Sequence, residues 1–291
     1  MTAAAAAAPR ANSRRAHRAD RVATVSLWAV GAFVMVLLGA IILHFLIASI
    51  GVVSPSFIFG DPSRTTLGGV WPLLWNSIYM LVLTMLISIP LGLLAGIYMA
   101  EYSRDGLVTS TIRFAEEAIS SVPSIVVGLF GLIAFVDITH WGFTALGGAL
   151  ALTMFNLPLM ARLTEQALRA VPQDERAASL ALGATRWQTI RHVVLPAART
   201  GLITAVVLGM MRAAGEALAV QMVIGNRPTM PTALTQPLTT LTAQITLDMG
   251  NTVFGEAWNE ALWTMGLVLL MISFTFVLLV RWLGRRAERV R

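Results

Sequence analysis

Residues 72–100 read PLLWNSIYMLVLTMLISIPLGLLAGIYMA, without a single Asp, Glu, Lys or Arg. An α-helix rises 1.5 Å per residue and a bilayer core is about 30 Å thick, so about 20 apolar residues suffice to cross it. This run is long enough to span and much too long for a barrel strand of roughly 10 residues. Inside lipid every backbone N–H and C=O must find its partner within the segment, which a helix achieves and an open strand does not. The stretch therefore predicts an all-α membrane protein.

Working outward, five more runs of this kind occur at roughly 22–50, 114–136, 145–162, 201–225 and 260–283, giving six expected transmembrane helices over a domain of 22–283. The composition agrees: 56% of the 291 residues are hydrophobic and 12% charged, against roughly 25% charged in soluble domains. Span one is longer than the 7–15-residue apolar core of a signal peptide and reads as an anchor. The Ala- and Arg-rich residues 1–21 before it read as a disordered tail in contact with anionic lipid, and 284–291 as a second short tail.

The basic residues decide orientation. All 21 are arginine, against 15 acidic residues. With six spans both termini share a side, and eighteen arginines fall there: at the termini, at Arg104 and Arg113 between spans two and three, and from Arg162 to Arg199 between spans four and five. By the positive-inside rule that side is cytoplasmic. The excess positive charge is thus topological and requires no nucleic acid. Arg64 and Arg227 remain outside, and Arg212 falls within span five. The Pro- and Thr-rich segment 226–259 is the largest external loop, with room for short helices on the outer mouth.

Absent residues exclude chemistry. Without lysine there is no phosphate-cradling G-x-x-x-x-G-K-[ST] loop, so any nucleotide energy must come from a partner. Without cysteine there is no disulfide, thiolate nucleophile or Cys-ligated metal. The four histidines, His17, His44, His140 and His192, are scattered and form no H-E-x-x-H. No cofactor of the chain's own is expected.

Charge at membrane depth is expensive and invites a functional reading. In RAAGEALAV (212–220), Arg212 and Glu216 are four residues apart and would share one face of a continuous helix. Counted from Gly201, Arg212 lies on the order of 16 Å into the core, near the midplane. Two readings are open: a mutually neutralising pair that fixes helix packing, or a site where Arg212 offers its planar donors to an oxyanion. In the second, Glu216 accepts from a protonated oxyanion and repels a proton-free one. Arg162, at the inner end of span four, either obeys the positive-inside rule or belongs to the same pathway. Pro90, Pro123 and Pro158, with Asn156, mark kinks that serve as hinges or simply as shape.

The segment 172–196, PQDERAASLALGATRWQTIRHVVLP, is too polar to span. Helix formers at 174–182, a stop at Gly183–Ala184 and a second amphipathic piece ended by Pro196 predict two short helices projecting from the bundle. A single interfacial amphipathic helix is the alternative.

Gly183, nine residues, Val193, one residue, Leu195 and Pro196 resemble the EAA loop of ABC importer permeases, whose pattern is E-A-A, three residues, G, nine residues, I-x-L-P. The match departs at the glutamate: Ala177 stands in its place, and Glu175 lies two positions early. GIYMAEYSRDG (96–106), SVPSIVVGLFGL (121–132), LTMFNLPLMARLTEQALRAVP (152–172) and RAAGEALAV narrow the resemblance to the permeases of the Pst phosphate importer, PstA and PstC, over about 68–283. EYSRDG and NLPLMARLTEQAL resemble PstA more; GEALAVQMVIGN (215–226) resembles PstC. On balance PstA is favoured.

The resemblance implies the type I ABC importer permease architecture and a phosphate pathway through Arg212, Glu216 and Arg162. It implies that a PstB-like ATPase dimer, which binds the ATP and Mg, engages Glu175, Ala177, Gly183, Ala184, Leu195 and Pro196. A second, PstC-like permease and a PstS-like phosphate-binding protein complete the expected assembly in a bacterial inner membrane. A permease for sulfate, molybdate or phosphonate, and a stand-alone secondary transporter, are the alternatives.

Overall fold

The computed structural model describes residues 10–60, 69–104, 106–253 and 256–288. Arg64, Arg289, Arg291 and residues 1–9 of the expected N-terminal tail lie outside them. Among the described residues the fold is helical throughout, with one isolated bridge between Gly225 and Leu238.

In chain order the helices are α1 (Arg10–Ser49), α2 (Pro55–Phe59), α3 (Trp71–Ile97, continued by a π-helical turn Tyr98–Tyr102), α4 (Leu107–Ser121), α5 (Ser124–Gly131, continued by a π-helical stretch Leu132–Ile138) and α6 (Ala145–Arg169). There follow α7 (Gln173–Ala181), α8 (Arg186–Thr189, continued by a π-helical turn Ile190–Val194), α9 (Leu195–Ala197), α10 (Arg199–Gly215), α11 (Leu218–Ile224), α12 (Leu241–Asp248) and α13 (Ala257–Glu288). Among the described residues four helices are long and apolar enough to cross a membrane unbroken, those containing 16–49, 71–102, 145–169 and 258–282; two more candidates are bent pairs, Leu107–Ser121 with Ser124–Ile138 and Arg186–Ala197 with Arg199–Gly215.

Span three was expected as one helix over 114–136. It breaks instead at Val122–Pro123, and the pieces on either side meet at 101°. Proline has no N–H to donate and pushes the preceding residue out of the helical region; Val122 sits at φ −68°, ψ 132°. Span five joins the loop before it at a 72° bend around Ala198 and ends early, at Gly215. Residues 10–21, expected as part of a disordered tail, extend α1, and 284–288 extend α13. Alanine, arginine and glutamate favour helix, and extending an existing helix avoids the cost of nucleation.

The centre of the bundle is the pair α3–α6. Gly92 and Gly96 face Met160 and Thr164 so closely that an added Cβ at either would collide with them, and both helices run on through a proline, Pro90 and Pro158. Three of the four apolar clusters among the described residues lie in order along the bundle. Val70, Leu73, Leu241 and Met265 pack at one end, and Met80, Ala149, Leu152 and Ile224 in the middle. Ile97, Leu168, Ile190 and Val194 pack at the end carrying 172–196. The Thr-rich segment after α11, expected as an external loop, packs into the bundle: Leu238, Thr239 and Leu241 are fully buried, and Asn76 of α3 donates to the Thr239 carbonyl at 2.9 Å. Outward, α1 and α13 present Trp28, Phe33, Ile47, Met271 and Phe274, an apolar surface far larger than water-facing proteins expose.

Candidate functional site

Span five is the element on which the intramembrane charges sit, and the chain interrupts it between them. Helix α10 ends at Gly215, Glu216 is extended at φ −78°, ψ 127°, and α11 begins at Leu218. Arg212 and Glu216 therefore do not share one continuous helical face. No ion pair joins them; the ion pairs among the described residues are Arg113–Glu165, Arg169–Glu165 and Arg176–Glu101. The physical reason is local: Gly215 favours a break, and the Glu216 side chain is used on the new helix, where its Oε1 accepts the Ala219 N–H at 3.3 Å. The Glu216 carbonyl accepts the Thr242 hydroxyl at 3.1 Å, which ties the break to α12.

Arg212 finds an aromatic partner. Its guanidinium carbon lies 4.0 Å from the centroid of the Phe155 ring on α6, a cation–π contact, and its buried Nε has no hydrogen-bond partner. Of the two readings of the pair, mutual neutralisation is the one this geometry does not support. Arg162 is exposed and lies seven residues beyond Phe155 on the same helix, about 10 Å farther along the axis. It lies instead near a charged group midway along α4, where Arg113 pairs with Glu165 of α6 beside Glu116.

Ser77, Leu81, Leu152, Ala213, Glu216, Thr240 and Thr242 surround a cavity of about 20 Å³ at the break, room for about one water and not for a tetrahedral oxyanion. Ser77, Thr240 and Thr242 were not singled out in the sequence. Their nearness depends on the loop after α11 folding back against α3, where the Leu241 N–H donates to Ser77 Oγ at 2.9 Å.

The polar segment 172–196 folds as the two-helix projection that its spacing predicts. Gly183 reverses the chain at φ +86°, with nothing within 4 Å of an added Cβ, so conformation alone calls for glycine there. The second helix starts with a capping box: Gln188 N–H donates to Thr185 Oγ1 at 3.3 Å, and Thr185 N–H to Gln188 Oε1 at 2.8 Å. Glu175, Ala177 and Gly183 are exposed, Ala184, Leu195 and Pro196 half-buried. Leu182 is 89% and Trp187 50% exposed, so an apolar patch crowns the turn.

One residue of α7 points the other way. Arg176 is buried, and its guanidinium bonds Glu101 at 2.9 Å and the carbonyls of Leu168 and Val171 at 2.6 and 2.5 Å. Both residues line the wall of a cleft of about 670 Å³ with Arg104, Arg169, Asp174 and Arg186. Sequence counting took Arg176 only as one more inward arginine.

Comparison with known proteins supplies the frame for these features. Residues 88–289 match the family model described as the binding-protein-dependent transport system inner membrane component. The chain is 39% identical over 278 residues to the probable ABC transporter permease protein YqgI of Bacillus subtilis, covering 91% of this chain and 95% of that one. It is 33% identical over 224 residues to the phosphate transport system permease protein PstA of Xylella fastidiosa, covering 77% and 76%. Among solved structures, the fold is similar to a chain of the bacterial alginate ABC transporter in complex with its alginate-bound periplasmic protein, with a TM-score of 0.67 at 11% identity over 94% of this chain and 97% of that one. The bundle is thus a type I ABC importer permease fold, the fold of a membrane subunit. With two-thirds of its length inside the family model and a full-length relative at 39% identity, the chain belongs to the binding-protein-dependent transport system inner membrane components, the permease subunits of ABC importers.

Proposed function

We propose that this permease subunit serves an ATP-driven importer of inorganic phosphate, in the PstA-like position beside a PstC-like second permease. The observation that carries the reading is the broken span five: Arg212 keeps a buried, unpartnered Nε beside the Phe155 face, one residue type suited to an oxyanion. Glu216 stands at the break where a proton-bearing oxyanion would be distinguished from a proton-free one. The likeness to a protein named for phosphate transport supports the choice of oxyanion. The narrow cavity at Glu216 fits a path completed by the second permease rather than one enclosed by this chain.

In this reading the termini and the 172–196 loop face the cytoplasm of a bacterium, where most of the arginines lie. A PstB-like ATPase dimer engages the patch around Gly183, binding ATP and Mg on its own subunits, and a PstS-like binding protein delivers phosphate to the opposite mouth. This chain contributes the path and the docking loop, with no cofactor of its own.

The test is uptake into vesicles carrying the whole complex. Arg212→Ala is expected to reduce phosphate import at least tenfold, and Glu216→Gln to narrow the preference for phosphate over sulfate. Import that both substitutions leave unchanged sinks the site assignment. Deleting 172–196 separates the importer from a stand-alone carrier: ATP-dependent uptake disappears in the first case and partly survives in the second.

A further inference from the structure

Helix α7 is a surface element: of its nine residues, only Arg176 is buried. Glu175 and Ala177 on either side of it face outward, toward the side that a docked ATPase would occupy. The helix meets the rest of the molecule through the neighbouring second helix, where Ser179 and Thr189 share a hydrogen bond at 2.9 Å, and through the one guanidinium that Arg176 sends inward.

That guanidinium reaches two membrane-spanning elements at once. Through Nη2 and Nε it bonds Glu101 Oε1 at 2.9 and 3.2 Å, and Glu101 sits in the π-helical turn that ends span two. Through Nη2 it also bonds the carbonyl of Leu168, in the last turn of span four, at 2.6 Å, and through Nη1 the carbonyls of Val171 and Pro172 just beyond that helix, at 2.5 and 3.4 Å. Helices leave their final carbonyls without intrahelical donors, and here a side chain of the docking loop serves one of them, that of Leu168. The same spans carry the tight glycine contacts of α3 on α6, so a force on α7 enters a closely packed part of the bundle.

A second ion network braces the receiving end. Glu165 accepts Arg169 at 2.8 Å and Arg113 at 2.6 Å, and Arg169 donates to the Met99 carbonyl at 3.2 Å, in the same π-helical turn as Glu101. Spans two and four are thereby tied to each other beside the point where Arg176 grips both.

We infer that Arg176 and Glu101 form the joint that transmits movement of the docking loop to spans two and four. They are positioning residues, acting on transport without touching the substrate. The pair is buried, with side chains 11% and 10% exposed, and a planar donor that serves a carboxylate and three carbonyls together is not replaced by lysine, a single point charge. The inference rests on the importer reading and deepens it.

The experiment measures solute imported per ATP hydrolysed in vesicles holding the whole complex, for wild type, Arg176→Lys and Glu101→Gln, with the amount of ATPase subunit retained per permease. Loosening the joint is expected to leave ATPase subunits bound at wild-type stoichiometry and ATP hydrolysis running, while import per ATP falls about tenfold in both variants. Import per ATP that stays at the wild-type value in Glu101→Gln overturns the inference. So does a loss of ATPase subunits in proportion to the loss of import, since the pair would then serve docking. Glu101 lies outside the docking loop, so its variant carries the test if Arg176→Lys fails to assemble. The solute is whichever oxyanion the wild-type complex imports, so failure of the phosphate reading shows in the wild type and leaves this comparison standing.

Discussion

Arg113 on α4 and Glu165 on α6 are joined at 2.6 Å although 52 residues separate them in the chain. Glu165 is almost fully buried and is held from a second side by Arg169, whereas α4 is mostly exposed after its 101° turn away from α5. The carboxylate therefore pins α4 to the bundle. Both arginines are about half exposed, which discounts the pairing; Glu165→Gln should cost about 1–2 kcal/mol. The expected outcome is a thermal midpoint a few degrees lower in detergent, with faster trypsin cleavage at Arg113. An unchanged cleavage rate would show that α4 is held by other contacts.

Phe155 is the aromatic partner of Arg212. Both residues are half-buried, so the cation–π contact is worth about 1 kcal/mol and Phe155→Leu should lower phosphate uptake by roughly fivefold. If the ring acts through the arginine, adding Phe155→Leu to Arg212→Ala should do little more than Arg212→Ala alone. Fully additive losses in the double variant would separate the two residues.

Gly183 occupies the left-handed region with open space around it. Valine there costs about 1–2 kcal/mol of strain, whereas asparagine tolerates the conformation. Gly183→Asn should keep the ATPase subunits through purification and Gly183→Val should lose much of them. Equal retention in both would mean that the turn is not what presents the loop.

Leu182, at 89% exposure, contributes almost nothing to the fold, so Leu182→Asp should leave the melting temperature of the isolated permease unaltered. ATPase subunits recovered with it should fall several-fold. A drop in melting temperature instead would place Leu182 in the permease's own packing.

The spans were legible because lipid makes each one write itself as an apolar run, and the loop 172–196 because its turn depends on Gly183, Thr185 and Gln188, all within reach of one another in sequence. Pro123 marked a disturbance in span three; its consequence, a right-angled break, depends on what α4 packs against. The interruption at Glu216 had a local signal in Gly215, overridden in the sequence reading by the apolar residues that follow. Ser77 beside Thr240, and Glu101 beside Arg176, were not legible: each pair is brought together by the docking of distant segments, and neither side chain differs in type from many others nearby.

The break at Val122–Pro123 gives span three an elbow. Helix α4 is 15 residues long, about 22 Å, so once the Arg113–Glu165 pair is released, a rotation of about 10° at Val122 sweeps its far tip through about 4 Å. Two backbone dihedrals absorb the whole excursion. The tip of α4 can thus move on the scale of a small ion's diameter without that helix sliding along its neighbours.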